Sequence, residues 1–134
     1  MGKIPEGYLP QRELWPTRVY KLPEYQAYPQ KFNSTEELID KQVAGGKGDR
    51  PAILFEDRKI PYKALLGMVN KLGSSLKALG IEEADRVALR APNIPPALVA
   101  NFAVLKIGGV FLPTSGLFSR SEIAHVFNNA EVKA

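Results

Sequence analysis

The sequence predicts an α/β fold: an incomplete, doubly wound parallel sheet, preceded by an extended Pro/aromatic arm and a β-hairpin. Three observations predict it. After residue 50, short apolar strand patterns alternate with amphipathic helix patterns, the order that gives parallel βαβ units. Glycine pairs and prolines fall at the ends of those patterns rather than inside them. The last residues, Glu131-Val132-Lys133-Ala134, read as the start of another strand. A βαβ unit without its second strand cannot bury its faces, so the chain is expected to be the opening piece of a longer α/β protein.

Residues 1–32 form the first expected region. Pro5, Pro10, Pro16, Pro23 and Pro29 forbid a regular helix and disfavour central strands. Tyr8, Trp15, Tyr20, Tyr25, Tyr28 and Phe32 argue against simple disorder, and predict an arm whose rings lie on a folded body. Residues 33–134 form the second region, the incomplete α/β subdomain. Ser34 with Glu37 fits a capping box, starting a helix that runs to about Ala44 and stops at Gly45-Gly46. Gly45–Asp49 lacks the spacing of a phosphate loop and has no strand before it.

A strand over Ala52–Glu56, a turn at Asp57-Arg58 and a return at Lys59-Ile60 make the hairpin. Tyr62, Leu65, Leu66, Val69, Leu72, Leu76 and Leu79 recur at helical spacing, with Lys63, Lys71 and Lys77 off the stripe and Gly80 closing the helix. Gly67 and Gly73 each cost about 1 kcal/mol inside a helix, so close packing is expected at both. Arg86–Ala91 is the next strand. Asn93 is expected to cap the following helix, which carries Pro95 and Pro96 in its first turn and is apolar nearly all round as far as Ile107. Gly108-Gly109 stop it. Val110–Leu112 is a buried strand, and Ser119 with Glu122 forms a second capping box.

Composition excludes several chemistries. The 134 residues are 45% hydrophobic and 24% charged, ordinary globular values. There is no cysteine, hence no disulfide, thiolate metal site or cysteine nucleophile, and a cytoplasmic setting is expected. The single histidine, His125, is expected to pack or face solvent; no metal site and no Ser/His/Asp arrangement is readable. A net charge of +4, spread and interleaved with acids, gives no nucleic-acid face. The longest apolar stretch, Ala97–Leu105, is too short to span a bilayer, and Met1–Glu6 shows neither a signal core nor a myristoylation pattern. No catalytic residue is readable in the chain.

Six segments, in order, resemble one family: Asp49-Arg50-Pro51-Ala52-Ile53; Ile60–Leu65; Leu79-Gly80-Ile81 with Asp85–Ala88; Pro92-Asn93; Ala103–Val110; and Ser121-Glu122-Ile123. They are similar to the N-terminal stretch of the AMP-forming acyl-CoA synthetases, the adenylate-forming ligases. Glu13–Pro16, Leu22-Pro23-Glu24, Tyr28–Asn33 and Ala44–Arg50 further resemble the 2-aminobenzoate and benzoate branch. Two positions depart from the pattern: Pro61 stands where a capping Thr is usual, and Ala84 where Gly is usual.

The resemblance implies ATP with Mg and coenzyme A as what the parent enzyme uses, and a carboxylic acid activated through an acyl-adenylate. It implies that the fragment alone is inactive and binds none of these tightly. It also implies that Ser115, Gly116, Leu117, Phe118 and Arg120 form a coenzyme A-proximal loop within Thr114–Arg120. A glycine turn, an aromatic ring, a helix N-terminus and an arginine suit an adenine and a phosphate. The simpler reading of the same residues is that Phe118 packs in the core and Ser119 merely caps a helix. The expected partner is the rest of the ligase chain or a complementing chain, with a homodimer through the exposed sheet edge as a further reading. The alternatives in other classes are a stand-alone interaction module and a non-catalytic coenzyme A or nucleotide binder.

Overall fold

A computed structural model describes residues 10–17, 19–27, 29 and 31–134, with only the backbone of Gln26. The expectations resting on Met1–Glu6, Tyr8 and Tyr28 lie outside the described residues. By its contacts the chain divides between Phe32 and Asn33.

In the N-terminal unit the described residues make a 3-10 turn at Arg12–Leu14 and one helical turn at Pro23–Gln26, which Pro23 opens at its first position. The Trp15 indole donates to the Pro10 carbonyl at 2.8 Å, and the Tyr20 and Tyr25 rings sit 5.8 Å apart. Trp15, Tyr20, Tyr25 and Phe32 keep about half their surface exposed.

The second unit begins with helix α1, residues 34–47, whose turns widen to π-type over Glu36–Asp40 and Val43–Lys47. Its start corrects the expected Ser34 box. Asn33 is the cap: its Oδ1 accepts from the amides of Thr35 (3.0 Å) and Glu36 (3.3 Å). Its amide nitrogen meanwhile donates to the carbonyls of Lys106 and Leu105, at the far end of another helix. One side chain thus terminates two helices. The helix breaks at the expected Gly45-Gly46: Gly46 takes a non-helical, left-handed backbone (φ 76°), and only a short turn follows to Lys47.

Strands β1 (Pro51–Phe55) and β2 (Arg58–Pro61) pair antiparallel. The turn falls at Glu56-Asp57, one residue earlier than the sequence suggests, with Glu56 at φ 51°. Helix α2 (Tyr62–Ala78) follows directly. Pro61 occupies its N-cap with no side chain to offer. Backbone carbonyls substitute: Arg50 accepts from Tyr62 N–H at 3.0 Å and Gly48 from Lys63 N–H at 2.9 Å. The absent Thr is thereby compensated.

The α2 stripe is seen in Leu65 and Val69, both buried, and in the half-buried Leu66, Leu72 and Leu76; Leu79 is 78% exposed and lies off it. The two glycines differ. A Cβ at Gly73 would stand 3.3 Å from Ile107, so packing explains it, whereas Gly67 is exposed with open space around it.

Strands β3 (Arg86–Arg90) and β4 (Val110–Thr114) pair in parallel register, Arg86 with Val110 through Arg90 with Thr114. Helix α3 (Pro95–Lys106) connects them. Ile94, not Asn93, is its N-cap, and no side chain caps it; Pro95 at the first position has no N–H to satisfy. On the other edge of β3, Lys133 N–H donates to the Arg86 carbonyl (2.9 Å) and Ala88 N–H to the Ala134 carbonyl (2.7 Å). β3 is therefore flanked on both sides. Lys133 to Asp85 (2.5 Å) and Arg86 to Glu131 (3.1 Å) hold that segment in place. The Asp85 carboxyl lies below its ordinary pKa, first through the Lys133 hydrogen bond and then through the Glu82 amide.

One core cluster joins Ile39, Ile53, Leu65, Val69, Val99 and Ala103; a second joins Ile81, Val87 and Val104. Helix α1 is tied to α3 by the buried Thr35, whose hydroxyl donates to the Phe102 carbonyl at 2.9 Å, and by Lys106 to Asp40 at 2.6 Å. At Gly109 a Cβ would meet the Val104 side chain at 2.9 Å, so only glycine lets α3 turn this tightly into β4. Helix α4 (Arg120–Asn129) closes the order. Among the described residues no helix is long and apolar enough to cross a membrane.

Candidate functional site

In open parallel sheets the crevice outside the carboxyl ends of the strands is where ligands bind, because the loops there are free to vary. Here β3 and β4 end together at Arg90 and Thr114, whose hydroxyl donates to the Leu89 carbonyl at 3.1 Å. The strand runs two residues beyond the predicted Leu112, so the loop proper begins at Ser115.

Ser115 folds the loop back on itself. Its hydroxyl oxygen accepts from Leu117 N–H at 3.1 Å, and its carbonyl from Phe118 N–H at 3.3 Å. Gly116 is exposed, and Leu117 is 95% exposed. Phe118 is half-buried and, with Ser121, Glu122, His125 and Val126 of α4, lines a shallow pocket of about 380 Å³. Ser119 and Glu122 form the expected capping box: Ser119 N–H donates to Glu122 Oε2 at 2.7 Å, and Glu122 N–H to the Ser119 hydroxyl at 3.3 Å. Hydrogen bonds from Ser119, its side chain first and its backbone second, hold the Glu122 carboxyl below its ordinary pKa. Arg120 opens α4, exposed and with no ion-pair partner among the described residues.

The structure thus sets Ser115, Gly116, Leu117 and Phe118 in one turn at the carboxyl end of the sheet, with Arg120 at the first position of α4. The capping role of Ser119 is present there, whereas Phe118, half-buried, joins neither core cluster. His125 is exposed on α4. No group of three or more acidic, histidine or cysteine side chains that could hold a metal ion occurs among the described residues.

Two features escaped the sequence reading. Arg90 reaches over the end of β4 and donates to the Gly116 and Phe118 carbonyls, a contact across 26 and 28 residues that local spacing does not encode. An open, mainly apolar cavity of about 510 Å³ lies at the same end of the sheet, lined by Leu54, Phe55, Leu89, Leu98, Phe111 and Thr114 among others. Two of the side chains lining it, Leu98 and Leu54, keep 37% and 70% of their surface exposed.

Comparison with known proteins agrees with this architecture. The anthranilate CoA ligase AuaEII, in complex with anthranoyl-AMP, superposes with a TM-score of 0.74 at 17% identity over 81% of this chain and 20% of that one, a likeness of fold. The Klebsiella oxytoca NpsA N-terminal subdomain superposes with a TM-score of 0.67 at 25% identity over 75% of this chain and 26% of that one. Acetyl-coenzyme A synthetase of Streptomyces avermitilis is 38% identical over 108 residues, 77% of this chain but only 17% of the relative. The chain therefore spans about a sixth of the length of the curated relatives it matches. Residues 39–134 match the family described as AMP-binding enzyme, and the chain belongs to that family.

Proposed function

We propose that this chain is the N-terminal part of an AMP-forming acid–CoA ligase. Residues 1–32 serve as the arm and 33–134 as the incomplete subdomain. The family match over residues 39–134 is the observation that supports it most directly. In the reaction proposed, a carboxylate oxygen attacks the α-phosphorus of Mg-bound ATP, and pyrophosphate leaves. The coenzyme A thiol, losing its proton, then attacks the acyl carbon and AMP leaves. Positioning and electrostatic stabilisation of phosphates supply most of such catalysis. No residue of this chain is assigned a catalytic or metal-binding part in it.

The role proposed for this segment is to present the turn Ser115, Gly116, Leu117, Phe118 and Arg120 to coenzyme A. The acid is proposed to be aromatic, 2-aminobenzoate or benzoate, supported by the segments Glu13–Pro16, Leu22–Glu24, Tyr28–Asn33 and Ala44–Arg50. The enzyme is proposed to work in the cytoplasm, with the rest of the ligase chain as the partner of the subdomain and the 134 residues alone inactive.

The test is a panel of acids with the ligase isolated from its source, following AMP and acyl-CoA. Higher kcat/KM for 2-aminobenzoate or benzoate than for acetate is expected; the reverse preference removes the aromatic proposal. Pyrophosphate released by the 134-residue chain with ATP and acid would overturn its inactivity. A second reading, an interaction module pairing through the sheet edge, draws on the outer edge of β4 and the exposed Val110. It expects a dimer in sedimentation at micromolar concentration, and a monomer removes it.

A further inference from the structure

The turn after β4 has little packing to define its shape. A Cβ on Gly116 would meet nothing within 4 Å, and Leu117 stands in solvent. Of its two internal hydrogen bonds, one is ordinary at 3.1 Å and the other long at 3.3 Å. What holds it from outside is Arg90. The parallel register sets Arg90 opposite Thr114, the last strand residue before the turn, so the arginine stem lies level with the loop's root. Its Nη2 donates at 2.6 Å to the Gly116 carbonyl and at 2.9 Å to the Phe118 carbonyl. These bonds are charge-assisted and are the shortest that the turn makes to another element.

We propose that Arg90 is a positioning residue that fixes the 115–118 turn in its ligand-accepting shape. A guanidinium suits the task because its N–H groups are fixed in one plane and stay charged at every working pH. Two carbonyls two residues apart, drawn to one nitrogen, define the turn's curvature between the serine hook and the α4 cap. A lysine at this position would bring the charge without the planar fork. Glutamine would bring neither the charge nor the reach. The inference rests on the reading of this turn as facing coenzyme A, but the clamp itself can be measured without the ligand.

The experiment uses the isotope-labelled 134-residue chain and its Arg90→Gln and Arg90→Lys variants. Without ligand, backbone order parameters at Gly116–Phe118 are expected to fall from rigid values of about 0.85 to below about 0.6 in both variants, while those of α2 and α3 hold. Unchanged order in the turn of a folded variant overturns the clamp. With coenzyme A added to millimolar concentration, the amides of Ser115–Arg120 are expected to shift in the parent chain, and the apparent affinity to weaken about tenfold in both variants. No shift in the parent chain removes the reading of the site, whatever the order parameters show. Full affinity in Arg90→Lys means that charge alone suffices, and overturns the positioning role. Should Arg90→Gln fail to fold, Arg90→Lys decides by the same two readouts.

Discussion

Helices α3 and α4 follow the two strands of the parallel sheet, yet they are held by opposite means. α3 has no side-chain cap, but Val99, Ala103 and Val104 are buried, and its end is gripped by Asn33. α4 buries no residue completely and instead has a complete capping box. Burial is cooperative and long-ranged; capping is local and confined to one turn. The difference separates the molecule into a part that sets the fold and a part that carries the candidate site. It also accounts for a turn at β4–α4 that depends on polar contacts from Ser115, Ser119 and Arg90.

The contrast is broken most forcefully in α3. Val104→Ala removes two carbons from a side chain with almost no solvent exposure and is expected to cost about 2–3 kcal/mol of global stability in denaturant unfolding. In α4, Ser119→Ala is expected to cost about 1 kcal/mol, seen as fraying of residues 120–123 in amide exchange while α3 stays protected. The sign of its pH dependence follows from Glu122, whose pKa is lower folded than unfolded. The box contributes fully above the ordinary glutamate range and is lost as pH falls through the depressed value. The difference between parent and Ser119→Ala should therefore shrink in acid. A parent–variant gap that stays constant into acid would exclude Glu122 from the box.

The smallest effects come from two backbone positions. Gly67 has open space and a helical backbone, so Gly67→Ala should stabilise by about 0.5–1 kcal/mol. Ala84 holds a left-handed φ of 70°, which explains why the family pattern prefers glycine there. Ala84→Gly should raise stability by a similar margin, about 0.5–1 kcal/mol after the entropy of glycine is subtracted. Thermal unfolding of the two single variants and the double reads both; gains that fail to add would show that the sites are coupled.

Periodicity located α2, and cap and stop signals located the other helices, because both are local properties of the sequence. The α2 stripe was legible from its spacing, and the Ser119–Glu122 box from residue types three apart. Two of the differences, at Asn33 and at Gly73, trace to a partner distant in sequence. Asn33 outcompetes Ser34 as a cap because its amide also reaches Lys106 and Leu105. Asn93 loses the cap of α3 to a backbone-only start at Ile94 and Pro95. Gly73 is packed and Gly67 is not, a distinction that needs the position of Ile107. For the candidate site, the turn and its cap were readable in the sequence, whereas the Arg90 clamp and the apolar cavity required the strand register.

The larger core cluster has a consequence for how the chain is made. Its buried members and the side chains packed against them all lie between Ile39 and Ala103. None of them waits for β4 or for Glu131–Ala134. As the polypeptide leaves the ribosome, α1, the hairpin, α2 and α3 can settle before the parallel sheet has a second strand, since local contacts form first and domains fold as they emerge. Until Val110–Thr114 arrives, β3 is then a bare strand with an arginine at each end, the stage of synthesis at which a chaperone would find most to hold.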